Sequence, residues 1–122
     1  MNLRTEFLVF VLLISTCGVS RAQLPAFPGA LGQGSLSVGG RGGDVYHVTN
    51  LLDYKSNQPA IVGSLRHAIA TASGPRTVVF DVGGSLKLSR PLSINKSNLT
   101  LAGQTSPTGI TVWGYPTSIS GA

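Results

Sequence analysis

Apolar residues follow three different rhythms along this chain, and each rhythm predicts a different kind of element. Residues 7–14 (FLVFVLLI) form an unbroken apolar run. Further on, Leu65, Ala68, Ile69 and Ala72 fall at i, i+3, i+4 and i+7, which is the buried stripe of a short amphipathic helix. Ser64 is placed to cap that helix and Gly74-Pro75 to end it. Elsewhere short β-branched or alternating segments are set between Gly, Ser, Asn and Pro. They are 45–49, then 77–82, 85–88, 92–94, 98–102 and 110–113, and each reads as a strand, while Asp53 to Pro59 reads as an exposed loop.

The first rhythm reads as a secretory signal peptide over residues 1–22. Arg4 supplies the basic start, the apolar stretch 7–19 is shorter than the roughly 20 residues a membrane span needs, and Ser20-Arg21-Ala22 places small residues where a signal peptidase reads. Cleavage is expected after Ala22, giving a secreted chain, extracellular or periplasmic, that begins at Gln23. Cys17, the single cysteine, is then removed, so the exported chain has no disulfide and no thiolate metal site. A lipoprotein leader would instead be cut before Cys17, but Thr16 is bulky for the position preceding such a cysteine.

The strand segments recur at fixed intervals. Val78 to Leu99 and Phe80 to Leu101 are each 21 residues apart, and Leu86 to Ile110 and Leu88 to Val112 are each 24 apart. About three short strands per turn of that length predicts an all-β fold, a parallel β-helix whose coils stack like residues on like. An antiparallel sandwich also has short, regularly spaced strands, but it wants two-residue Asn-Gly or Asp-Gly hairpins, and none occurs. A short helix is marginal alone in water, so the stripe from Ser64 is expected to cap the open end of the first coil. The resulting organisation is a signal peptide (1–22), an N-terminal leading segment with a capping α-helix (23–75), and the first coils of a truncated β-helix (76–122).

Composition narrows this further. A chain of 122 residues allows one small domain, and 11% charged residues, against about a quarter in typical proteins, excludes a helix-rich, salt-bridged surface. Beyond Ala22, seven basic residues (Arg41, Lys55, Arg66, Arg76, Lys87, Arg90, Lys96) face three acidic ones (Asp44, Asp53, Asp81), leaving +4. That balance favours polyanions, and export makes an acidic polysaccharide the expected partner rather than nucleic acid, with no membrane contact after signal cleavage. The basic residues form no run, so solubility alone also accounts for them. Gly39-Gly40-Arg41-Gly42-Gly43 reads as a tight turn, because neither a phosphate loop nor a dinucleotide fingerprint is completed around it.

Few side chains invite chemistry. His47 and His67 have no partner at metal spacing and read as strand-face and helix-face residues. Trp113 reads as packing or as a stacking surface for a sugar ring. Asn95-Lys96-Ser97 and Asn98-Leu99-Thr100 fit the glycosylation pattern, and two adjacent matches in a strand-rich stretch are equally well read as coincidence.

The chain resembles the amino-terminal part of secreted pectate lyases. The resemblance lies in Ala26-Phe27-Pro28-Gly29-Ala30, in Gly39-Gly40-Arg41-Gly42-Gly43, and in Val45-Tyr46-His47-Val48-Thr49-Asn50-Leu51. It continues in Gly63-Ser64-Leu65-Arg66 with Ala68-Ile69, in Gly74-Pro75-Arg76-Thr77-Val78-Val79-Phe80-Asp81-Val82, and in Asn98-Leu99-Thr100-Leu101-Ala102-Gly103-Gln104-Thr105. Leu31 departs from it, since such proteins commonly carry an acidic residue there.

The resemblance implies a right-handed parallel β-helix and cleavage of polygalacturonate by β-elimination. In that reaction Ca²⁺ pairs with the uronate carboxylate and an arginine removes the adjacent proton. It also implies that the catalytic carboxylates and arginines belong to later coils. Arg66 and Arg76 match positions in the capping region, and Asp44, Asp53 and Asp81 are too dispersed to surround one Ca²⁺. No catalytic, cofactor-binding or metal-binding role is therefore assigned to any residue. Two functions stay open, a lyase of the pectate type represented by an inactive N-terminal piece, and a non-catalytic β-helix element that binds acidic glycan.

Overall fold

A computed structural model describes residues 23–121, so the expected signal peptide, its cleavage site and Cys17 lie outside the described residues. Two compact units divide the chain, one ending at Leu36 and one running from Ser37. In the first, residues 23–36 form successive turns, held by the Ala26 N–H to the Ser35 carbonyl (2.7 Å) and the Ala30 N–H to the Phe27 carbonyl (3.0 Å).

The second unit is built mostly of strands. In chain order they are β1 (Asp44–Val48), a helix α1 (Leu65–Ala70), β2 (Arg76–Phe80), β3 (Gly84–Lys87), β4 (Leu92–Ile94), β5 (Leu99–Ala102), β6 (Ile110–Trp113) and β7 (Thr117–Ile119), with a 3₁₀ turn at Gly103–Thr105. All pairings are parallel. β1, β2 and β5 form one sheet in that order, β3 pairs with β6, and β4 pairs with β7. Each of β5, β6 and β7 thus lies beside its counterpart from the preceding pass. No antiparallel sandwich exists among the described residues.

Period-two alternation explains which residues face inward. In β2, Arg76, Val78 and Phe80 are buried while Thr77 and Val79 are half-buried. In β1, Val48 is buried and Val45 and His47 are exposed. The core gathers Val48, Leu65, Ala68, Ile69, Val78, Phe80, Leu86, Leu88 and Leu92. Leu65, Ala68 and Ile69 of the predicted stripe are buried in the helix, which ends at Ala70 with Thr71 as its C-cap, before the expected Gly74-Pro75 stop, so Ala72 is buried just beyond it. Ser64 caps the helix, its Oγ accepting the His67 N–H at 3.2 Å and donating to the Ile61 carbonyl at 2.7 Å. Six residues cannot hold a helix by propensity, so burial of that face holds it.

The glycine run serves close approach. A Cβ on Gly40 would run into the Arg76 carbonyl, and one on Gly43 into the Pro75 carbonyl. The backbone therefore passes directly against the start of β2, and the Gly40 N–H donates to Thr100 Oγ1 at 2.8 Å.

The structure departs from the sequence reading in further places. Val78 pairs with Leu101 and Leu86 with Val112, so the offsets of 21 and 24 do not give the true register. A shift of two residues leaves every side chain on its own face, so apolar spacing alone cannot fix register. β7 is an additional strand beyond the predicted set. Asp53 and Tyr54, expected in an exposed loop with the residues that follow, turn inward; Tyr54 is buried and the Asp53 side chain is only 2% exposed.

Candidate functional site

The strongest polar constellation is a buried clamp between the segment after β1, the helix, and the turn between β3 and β4. Arg66 Nε donates to Asp53 Oδ1 at 2.6 Å and Nη2 to Oδ2 at 2.8 Å, a bidentate pair. Arg66 Nη1 also donates to the Pro91 carbonyl (3.0 Å) and Nη2 to that of Arg90 (2.8 Å), and the Ser89 N–H donates to Asp53 Oδ2 at 2.7 Å. Burial works against the Asp53 charge, but the hydrogen bonds from Arg66 and from the Ser89 and Tyr54 amides outweigh it. The carboxyl is held below the usual carboxylate range.

A second clamp joins Arg76 to Asp44. Arg76 Nε lies 3.0 Å from both carboxylate oxygens and Nη2 lies 2.6 Å from Oδ2, while Nη1 donates to the Ala68 carbonyl and Thr71 Oγ1. The Arg76 hydrogen bonds lower the Asp44 pKa, and the Asp44 carboxylate raises that of Arg76. The guanidinium also sits 5.2 Å from the Tyr46 ring centroid.

Both histidines lie where the sequence placed them, one on a strand face and one on the helix. His47 Nδ1 is 2.9 Å from both oxygens of Asp81 in an exposed pair. The Gly63 N–H donates to the Tyr46 hydroxyl oxygen at 2.9 Å, and the same hydroxyl is hydrogen-bonded to His67 Nδ1, 2.6 Å away.

Each side-chain carboxylate among the described residues is therefore committed, Asp44 to Arg76, Asp53 to Arg66 and Ser89, and Asp81 to His47. No group of three His, Cys, Asp or Glu residues able to hold a metal ion exists among the described residues. A hard cation needs several converging oxygens, so these residues do not fit the Ca²⁺ that the resemblance implies for full-length relatives. No step through a metal is derived from them.

An exposed cationic and aromatic pair lies on the sheet of β3 and β6. Lys87 and Trp113 are register partners on the outward face of β3 and β6, with Lys87 Nζ 4.9 Å from the indole centroid. Trp113 and Tyr115 are each 50% exposed. The sequence had singled out Trp113 but not its cationic partner, because that contact depends on the register. It also missed the Asp53–Arg66 pair. The one signal was an arginine beside the apolar stripe of a helix with no acidic residue in its first turn.

No helix among the described residues is long and apolar enough to cross a membrane. No protein-family model matches the chain. Curated relatives do. The chain is 46% identical over 114 residues to a protein named probable pectate lyase C from Aspergillus fumigatus, a match covering 91% of this chain and 25% of that protein. A protein of the same name from Emericella nidulans is 47% identical over 111 residues, covering 90% and 24%. One from Aspergillus terreus is 45% identical over 111 residues, again 90% and 24%. The chain is thus similar along nearly all of its length to proteins of that name, and it spans about a quarter of their length.

Proposed function

We propose that this chain forms the opening coils, with their capping helix, of a secreted right-handed parallel β-helix of the pectate lyase type, acting on polygalacturonate only as part of a longer catalytic assembly. The observation that carries the reading is the identity of 45–47% to proteins of that name over about 90% of the chain. Three parallel sheets, each pairing a strand with its counterpart on the next pass, support the β-helix. So does Leu101, 39% exposed although it is in register with fully buried Val78, because it offers an apolar seat for a further coil. Residues 1–22 act as the export signal and residues 23–75 as the leading and capping region.

The chain by itself performs no β-elimination, since its three aspartates are all engaged in pairs with basic side chains. The test is the absorbance of unsaturated uronide formed from polygalacturonate with Ca²⁺. No increase is expected, and Ca²⁺-dependent turnover by this chain would overturn the proposal.

The Lys87–Trp113 pair supports a second reading, binding of acidic glycan without chemistry. An indole face offers stacking to a sugar ring and the ammonium offers charge to a carboxylate. Retention on immobilised polygalacturonate that weakens with salt is expected, and no retention at low salt would remove this reading.

A further inference from the structure

We propose that the exposed turn between β4 and β5 carries an N-linked glycan on Asn95, and that the adjacent match at Asn98 is present for the backbone's sake. The inference rests on the export reading above and concerns a eukaryotic secretory lumen, as in the fungi that supply the relatives. Both Asn95-Lys96-Ser97 and Asn98-Leu99-Thr100 have the acceptor pattern, and the structure separates them.

Asn98 has φ of 57°, the left-handed region that asparagine enters more readily than most side chains. Its carbonyl accepts the Arg76 N–H at 3.0 Å and so starts the pairing of β5 with β2. The third residue of that match is also engaged, since Thr100 Oγ1 accepts the Gly40 N–H at 2.8 Å and Gly39 packs against the same hydroxyl. The turn conformation accounts for the asparagine and the glycine contact for the threonine. A glycan on Asn98 would stand two residues from a surface already covered by the glycine run.

Asn95, Lys96 and Ser97 are exposed and precede the strand, so a large polar group on Asn95 meets solvent. The step is a glycosyl transfer from a lipid-pyrophosphate-linked oligosaccharide. Asn95 Nδ2 bonds to the anomeric carbon, the anomeric C–O bond breaks with its electron pair passing to the pyrophosphate, and one amide proton is released to base.

The full chain is expressed in yeast, once with its own residues 1–22 and once with those residues replaced by a yeast secretory leader. Peptide:N-glycosidase sensitivity is read on gels, and the site is read by mass spectrometry as the aspartate that the enzyme leaves. Expected is a glycosidase-sensitive form with aspartate at 95, lost in Asn95→Gln and kept in Asn98→Gln. A glycan on Asn98, or none on the leader-replaced chain recovered from the secretory pathway, would overturn the proposal. Export is read separately, from N-terminal trimming at Gln23. An untrimmed chain carrying its own leader would count against the export reading alone, and the leader-replaced chain then decides the glycan.

Discussion

Replacing Arg66 by methionine keeps an unbranched apolar stem in the core and removes only the guanidinium. What is lost cannot be recovered from water. The Asp53 side chain is 2% exposed and that of Arg66 5%, so the carboxylate is left buried with amide donors alone, and the Arg90 and Pro91 carbonyls lose their side-chain donor. Removing one partner of a buried ion pair costs about 3–5 kcal/mol, a large part of the roughly 5–15 kcal/mol that holds a whole domain. The control is His47→Ala. Its pair with Asp81 is 58% and 49% exposed, and exposed pairs contribute less than about 1 kcal/mol. A double variant, Arg66→Met with Asp53→Leu, removes both charges and is expected to regain most of the loss, since what is costly is the unpaired charge. Urea unfolding followed by circular dichroism reads all three. The reasoning is refuted if Arg66→Met unfolds at the same urea concentration as His47→Ala, or if the double variant is no more stable than the single one.

The same account makes three further expectations. Gly40→Ala places a methyl group against the Arg76 carbonyl and should lower the melting temperature well below that of Gly34→Ala, whose added Cβ meets nothing within 4 Å. Leu86→Ala, at a position 1% exposed, should cost about 2–5 kcal/mol, while Val112→Ala, its 39% exposed register partner, should cost less by the same urea assay. Asp53 is held below its ordinary value, so its contribution is full above the unfolded pKa of about 4 and is lost as pH falls through the lower folded value. Acid titration of stability should therefore show a fall beginning below about pH 4 that is shallower in Asp53→Asn, and an unchanged acid limb in that variant would contradict the assignment.

Local signals carried much of the fold. β4 and β6 begin and end where the alternation predicted, and the helix has the expected cap and stripe, because both depend on residues close in sequence. Register was not legible. Sliding Val78 from Leu99 to Leu101 keeps both side chains on the same face, and only the lengths of the intervening turns decide between them. β7 was missed because Thr117–Ile119 is an exposed three-residue strand with no alternation to detect. The burial of Asp53 was hidden for a related reason. It follows Leu52 and precedes a polar stretch, and nothing local says that Arg66 comes to meet it. The Lys87–Trp113 contact joins two residues that only the parallel ladder places side by side.

The central claim is that the strands lie parallel, pass upon pass. Interstrand contacts in an isotopically labelled sample test it most directly by nuclear Overhauser spectroscopy. Expected are amide-to-α-hydrogen contacts linking Asp44 with Arg76, Arg76 with Leu99, Gly84 with Ile110, and Leu92 with Thr117. Close α-to-α contacts across neighbouring strands, the mark of antiparallel pairing, would contradict it.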